Sequence, residues 1–299
     1  MKYLIFGGSG FIGSALKTYL QDRGEEVLTI SRSGKNDGLA IDITRPSEFE
    51  NIEFIPDVIV NCASRLPQGG INSTDPTFVN ELFSTNVLGG VNICKWAVEQ
   101  RVSNLLNLST LAVVNKPWPN PLQETSVQLP TGQHTAYGMS KLSQEQMMNE
   151  AVHNTGTKVI HLRLASIYGD SMEPSGVLFF ILNRLQKNET VTLTNANKVK
   201  FDFMHVKDVC KSILYLSKEK ITHPIINTAS GNSISLMEVA SMLKEITGSS
   251  AEIHNTDETT ETSEATIQVD LLKHYLGKEN DTFIPLREGL TTLVKNNTI

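Results

Sequence analysis

Cysteine is scarce in this 299-residue chain: Cys62, Cys94 and Cys210 lie far apart and form no C-x-x-C pair. That argues against a disulfide framework and a thiolate metal site, and reads as three small buried hydrophobes in a reducing compartment. Positive charge is not in excess. Lys plus Arg number 26 against 32 Asp plus Glu, a formal net charge of −6, which argues against nucleic-acid binding or docking on an acidic membrane. No apolar run reaches the roughly 18–20 residues of a membrane span. The apolar stretch at the N-terminus is cut by glycines after Phe6, so no signal peptide is expected and the cytoplasm is the expected compartment. Low-complexity segments and internal repeats are missing as well. With 39% hydrophobic residues, the chain has enough to fill a core, as one large domain or two coupled ones, and is not disordered.

What is present is alternation. The runs "KYLIF", "EVLTI", "DVIVNCA", "NLLNLS" and "KVIHLRL" have the composition of buried parallel strands. Helical patterns lie between them, in "GSALKTYLQDRG", "NELFSTNVLGGVNICKWAVEQ" and "SKLSQEQMMNEAVHNTG". Such a series predicts βαβ crossovers and a doubly wound parallel α/β Rossmann sheet. From about Leu178 the texture changes to helices around "FFILNRLQKN" and "LMEVASMLKEITG" and a strand "TVTLT". The polar stretch "HNTDETTETSEATIQVD" reads as a loop feeding a short strand. We expect a nucleotide-binding domain over 1–177, to which 201–228 returns, and a smaller α/β substrate lobe over most of 178–299.

The first strand breaks into "GGSGFIG" and a helix begins at once. Gly7 permits a tight turn, Gly10 lets backbone approach a pyrophosphate, and Gly13 lets the helix pack closely on the strand. N–H groups at the helix start, in a turn that includes Ser9, Phe11 and Ile12, then face the anion. The alternative is a tight turn that binds nothing. After the second strand, "VLTISRSGK" carries Arg32 and Lys35 but no carboxylate. Arg32 pairs well with a 2′-phosphate, so NADP(H) is favoured, with NAD(H) as the alternative. Asp42, in "LAIDIT", is either an acceptor for the adenine amino group or the cap of a following turn.

In "HTAYGMSKLSQEQ", Tyr137 and Lys141 stand four residues apart, on one face of a helix. A free tyrosine is a poor base at neutral pH, and a nearby ammonium and a nicotinamide cation would lower its pKa. "NLLNLST" ends in Ser109 and Thr110, whose hydroxyls can reach the same substrate oxygen. His134 and His205 read as loop residues, Asp208 as the cap of the helix that follows it, and Arg287-Glu288 as an exposed pair.

These motifs, with "NCAS" at 61–64, Asp42-Ile43, "NVLGGVN" from Asn86, "LST" at 108–110, "RLASIYGD", "FDFMHVKDV" and "LREGL", resemble the extended short-chain dehydrogenases/reductases of the NAD-dependent epimerase/dehydratase group. The resemblance runs nearly end to end. It implies a catalytic triad of Thr110, Tyr137 and Lys141, with Tyr137 as acid/base and Lys141 on the nicotinamide ribose. Asn86 would support the lysine and cofactor. Ile43, Cys62, Ala63 and Ser109 would line the cofactor, and Ser64 would face substrate. It also implies a homodimer through helices near 81–100 and 138–153, with Leu82, Val87, Met147, Met148 and Val152 as compatible contacts; burial against the sheet explains many of these equally well.

The departures narrow the expectation. Leu111-Ala112 follows Thr110 where 4,6-dehydratases carry Asp-Glu, and position 111 has no cysteine of the 3,5-epimerase/reductase kind. Phe201 stands where the group often has a diphosphate-binding Arg, Ser166 replaces an Asn, and "DETTETSEAT" lacks a second Arg. Lys198 and Lys200 remain as point charges. What survives is an NADPH-dependent 4-ketoreductase of a nucleotide sugar, or a 4-epimerase with tightly bound NAD. A carbonyl reductase of a non-nucleotide substrate and a non-catalytic NADP-binding protein are the further alternatives.

Overall fold

The structure, a computed structural model, describes residues 1–35, 37–67, 72–132, 134–258 and 266–297. Twelve strands are formed among them: β1 (Lys2–Phe6), β2 (Glu26–Ser31), β3 (Leu39–Ala40), β4 (Val58–Asn61), β5 (Asn104–Thr110), β6 (Lys158–Leu164), β7 (Ser166–Tyr168), β8 (Val191–Thr194), β9 (Lys200–His205), β10 (Ile225–Thr228), β11 (Ser233–Ser235) and β12 (Ile253–Thr256). The α-helices are α1 (Phe11–Gln21), α2 (Pro76–Leu82), α3 (Gly89–Glu99), α4 (Thr135–Ala151), α5 (Gly176–Gln186), α6 (Val206–Leu216), α7 (Leu236–Thr247), α8 (Asp270–Leu276) and α9 (Leu286–Asn296).

Seven strands make one parallel sheet in the order β10-β6-β5-β4-β1-β2-β3. The chain first builds outward from β1 through β2 to β3, then crosses back to β4, so the order reverses between β1 and β4. At such a switch point the carboxyl ends of the strands open a crevice. Alternate residues of each strand serve opposite faces. Tyr3, Ile5, Val58, Val60 and Leu106 pack with Leu16 and Leu20 of α1 and Val209 and Ile213 of α6. Leu4, Phe6, Ile59, Leu105 and Val159 pack with Ile93 and Trp96 of α3 and Met148 of α4.

A third core belongs to the smaller lobe. Leu178 and Leu182 of α5, Val239 and Leu243 of α7, and Leu290 and Leu293 of α9 close on Val191 and Leu193 of β8 and Phe203 of β9. Two small sheets frame it, β11-β9-β7 and β12-β8. The polar stretch after 253 differs from expectation. Its strand comes first, with Ile253–Thr256 pairing in parallel with β8. The residues of β12 itself alternate half-buried and exposed, so a polar composition suits it. Residues 259–265 of the expected loop lie outside the described residues, and Ile267 then makes a single bridge to Leu122.

The start of α6 is also capped differently. His205 Nδ1 accepts from the Lys207 N–H at 3.2 Å, whereas Asp208 sits inside the first turn and accepts from the Ile284 N–H at 2.8 Å. Arg287 pairs with Glu245 at 2.9 Å, not with its neighbour Glu288. Of the apolar residues named for a subunit contact, Leu82, Val87, Met148 and Val152 are buried within this chain, and Met147 is exposed.

Candidate active site

The glycine turn divides its labour. A Cβ on Gly7 would lie 2.6 Å from the Ala63 nitrogen, and Gly7 takes φ +81°, open to glycine. A Cβ on Gly13 would lie 2.3 Å from the Gly7 carbonyl oxygen. Those two glycines are required by the protein's own packing. At Gly10 the only neighbour is that same oxygen at 3.4 Å, so the approach there is open to a ligand. Gly10 is also the N-cap of α1 and supplies no side-chain cap, which leaves the first N–H groups and the helix dipole for an anion. Phe11 and Ile12 pack partly against the core, so their contribution to such a site is through the backbone.

A cavity of about 170 Å³ opens at the turn. Gly7, Ser9, Gly10, Arg32, Asp42, Ile43, Cys62, Ala63 and Ser64 line it, with Thr85 from a π-helical turn over Phe83–Leu88. Thr85 was not picked out from the sequence. Arg32 is exposed, whereas Asp42 is tied into a turn, its Oδ1 accepting from the Thr44 N–H at 2.9 Å and the Thr44 hydroxyl at 2.7 Å. Burial works to raise the Asp42 pKa. The Thr44 hydrogen bonds and the charges of Arg45 and Arg32 outweigh it and hold the carboxyl below its usual value. Burial pushes the Cys62 thiol up, so it stays protonated. These residues have the shape and donors to hold a dinucleotide phosphate and ribose.

Where β4 and β5 end, three hydroxyls meet. Tyr137, near the start of α4, is half-buried, with the Ser64 and Thr110 side chains close enough to favour its phenolate. Burial outweighs those two side chains and pushes the Tyr137 phenol up to about 12. The lowering expected from the ammonium together with a nicotinamide cation is not what sets this value; burial is the largest influence on the phenol. Lys141 is 1% exposed. Its Nζ donates to the Leu108 carbonyl at 2.7 Å and to Gln144 Oε1 at 2.5 Å. Burial brings the Lys141 pKa down to about 8 against the opposing charge of Glu145. Ser109, expected beside the cofactor, turns the other way: the two-residue period of β5 sends its hydroxyl to Glu145 Oε1 at 2.5 Å, away from Thr110.

Beneath the hydroxyls lies a polar layer that sequence reading missed, apart from Asn86. Asn86 Oδ1 accepts from the Arg65 N–H at 2.7 Å and from Ser64 Oγ at 3.2 Å, and its Nδ2 donates to Ser140 Oγ at 2.9 Å. Asn61 Nδ2 donates to Asn107 Oδ1 at 2.8 Å, and Asn61 Oδ1 accepts from the Ala63 N–H at 3.1 Å. Asn107 reaches Gln144 at 3.2 Å and His161 Nδ1 at 3.0 Å. Glu145 and Arg163, both 0% exposed, form an ion pair at 2.7 Å. Burial alone would raise Glu145; Arg163 above all, then His161 and Ser109, bring it below the carboxylate range. The signal was an asparagine, a histidine and an arginine inside runs that otherwise read as apolar strands.

Other candidates are not brought to the cavity. Lys198 pairs with Asp257 at 3.5 Å. Lys200 lies on β9, where its charge acts on Glu238 at the start of α7. Ser166 sits on β7 opposite Phe203, and Phe201 packs its ring 5.6 Å from that of Phe203. His134 is exposed at the start of α4. Among the described residues no cluster of His, Cys, Asp or Glu could hold a metal ion, and no helix is long and apolar enough to cross a membrane.

The model of the NAD dependent epimerase/dehydratase family matches residues 3–229 of the chain. A putative UDP-glucose 4-epimerase of Methanocaldococcus jannaschii is 26% identical over 313 aligned positions, covering 98% of each chain. A GDP-6-deoxy-D-talose 4-dehydrogenase of Aggregatibacter actinomycetemcomitans is 28% identical, over 85% of this chain and 82% of that one. Among solved structures, a UDP-glucose 4-epimerase of Thermus thermophilus in complex with NAD has the same fold. Its TM-score is 0.81 at 23% identity, over 99% of this chain and 98% of that one.

Proposed function

The chain belongs to the NAD dependent epimerase/dehydratase family, and on that premise we propose that it reduces a keto carbon of a nucleotide sugar, as an NADP(H)-dependent 4-ketoreductase. The observation that carries this reading is the group of hydroxyls of Ser64, Thr110 and Tyr137, with Ser64 also lining the cavity that opens at the glycine turn. A reduced nicotinamide bound there would supply the hydride. Tyr137, kept protonated by burial, donates a proton to the substrate oxygen as the carbonyl becomes a carbinol. Thr110 and Ser64 orient that oxygen. The third ammonium proton of Lys141 is available to a ribose hydroxyl. Arg32 at the cleft, with no carboxylate in its stretch, favours a 2′-phosphate. Leu111 and Ala112 carry no acid or base with which to eliminate water. Residues 1–177 and the 201–228 return would bind the dinucleotide, and the rest of 178–299 the sugar nucleotide.

A second reading, 4-epimerisation with retained NAD, is favoured by the epimerases among the relatives and by NAD in the Thermus enzyme. Net NADPH oxidation with 4-keto sugars of the UDP, dTDP, GDP or CDP series supports the reductase. NAD released from the purified, denatured protein, with epimer interconversion and no net oxidation, selects the epimerase instead. Turnover of simple ketones with no thermal stabilisation by any nucleotide sugar replaces both with a non-nucleotide carbonyl reductase. Unchanged function in Tyr137→Phe overturns every enzymatic reading.

A further inference from the structure

We propose that Gln144 is a positioning residue for Lys141, its side-chain amide holding the ammonium against β5 and tying it to Asn86. The inference rests on the reading above, in which Lys141 serves the dinucleotide. Gln144 stands three residues after Lys141 and seven after Tyr137, on the same face of α4. It is fully buried. Its Oε1 accepts from Lys141 Nζ at 2.5 Å and from Asn107 Nδ2 at 3.2 Å. Its Nε2 donates to the Asn86 carbonyl at 2.6 Å. Room for this is made by α3: a Cβ on Gly90 would lie 3.2 Å from Gln144 Cγ.

Two anchors thus fix the ammonium, the Leu108 carbonyl and Gln144 Oε1, and each uses one of its three protons. The direction left for the third proton follows from those two. Through Asn86, Gln144 also reaches the Ser64 hydroxyl at the cleft rim. One amide therefore holds both the ammonium and the main chain of Asn86, whose side chain accepts from Ser64. An inert filler of the same volume would pack as well and couple nothing.

The ammonium faces Glu145 from its own helix, Cys62 just past β4 and His161 from β6; Arg163 of β6 is paired to Glu145, and Tyr137 lies one turn earlier on α4. Burial holds Tyr137 and Cys62 protonated and His161 neutral, down to about 4, while Glu145 stays ionised below the carboxylate range beside Arg163. Near pH 8 the titrating member of the group is Lys141. A hydrogen bond accepted from the charged form raises its pKa; removing the acceptor lowers it.

The test is fluorescence titration of the full-length protein with NADH and NADPH across pH 6–9.5, with thermal unfolding in parallel. Gln144→Met keeps volume and removes the amide. It should weaken binding about tenfold at pH 7.5 and move the pH of half-lost binding about one unit toward acid. Gln144→Glu keeps the acceptor for the ammonium and gives up the donor to the Asn86 carbonyl. Its affinity should stay within about threefold of wild type, with a midpoint no lower. If Gln144→Met does not fold, Gln144→Glu decides alone: a midpoint below wild type overturns the proposal. So does a folded Gln144→Met with wild-type affinity and midpoint, or equal affinity losses in both variants that track Tm with the midpoint fixed. Wild-type protein that binds neither dinucleotide overturns the functional reading and this inference together, whereas binding that both variants leave untouched overturns this inference alone.

Discussion

Ser64, Thr110 and Tyr137 at the cleft rim are half-buried, uncharged and close to one another; Asn86, Asn107, Gln144, Glu145 and Arg163 beneath them are fully buried and bonded group to group. The rim can exchange partners with a ligand at little cost, because its residues are half-buried and Ser64 lines the cleft. The layer beneath cannot. A buried charge or amide that loses its partner keeps the whole desolvation penalty. Chemistry and stability are therefore carried by different residues a few ångströms apart, and substitutions should separate them.

The largest expected effect is at the rim. Tyr137→Phe should lower turnover by about two to four powers of ten while Tm stays near wild type, since proton transfer is lost and packing is kept. Steady-state kinetics beside thermal unfolding measure both; a Tm drop matching that of a buried-layer variant would erase the contrast. Next comes the layer itself. Glu145→Ala leaves Arg163 buried and uncompensated, and should cost about 3–5 kcal/mol in urea unfolding.

The acid response should come from the layer too. Burial lowers His161 from 6.5 to about 4, so between those values the unfolded chain binds a proton that the folded chain refuses. Stability is then complete above about 6.5 and falls as the pH drops to about 4, by roughly 3 kcal/mol. His161→Gln should flatten this limb of a urea-midpoint-against-pH curve, and an unchanged slope would locate the effect elsewhere. The smallest effect is expected at the outer edge of the cleft. Arg32→Ala should weaken NADPH about tenfold, with NADH affinity and Tm unchanged; equal losses for both cofactors would remove the argument for a 2′-phosphate contact.

Much of the rim was legible because its signals are local. Glycine spacing after an apolar run and a tyrosine four residues before a lysine need no knowledge of the rest of the chain. The layer was not legible, although part of its signal was present. Gln144 shares the helical face of Tyr137 and Lys141, and Arg163 is a charge within an apolar strand; neither says what it meets. Ser109 shows the same limit. Its hydroxyl and that of Thr110 read alike in sequence, and only the strand's alternation beneath α4 sends one down to Glu145 and the other to Tyr137.

Composition and periodicity by themselves determined the alternating strands and helices, the glycine bend and the placing of phenol and amine on one helix, since each depends on neighbours within a few residues. Register belonged to the tertiary structure. Parallel pairing sets Asn61 beside Asn107 beside His161, and two residues on, on the same face, sets Ser109 beside Arg163 beside Asn227. A one-residue slip would turn each of those side chains to the opposite face. Packing of the whole sheet against α3 and α4 fixes that choice, so the polar rows under the active-site helix exist only once the strands have met.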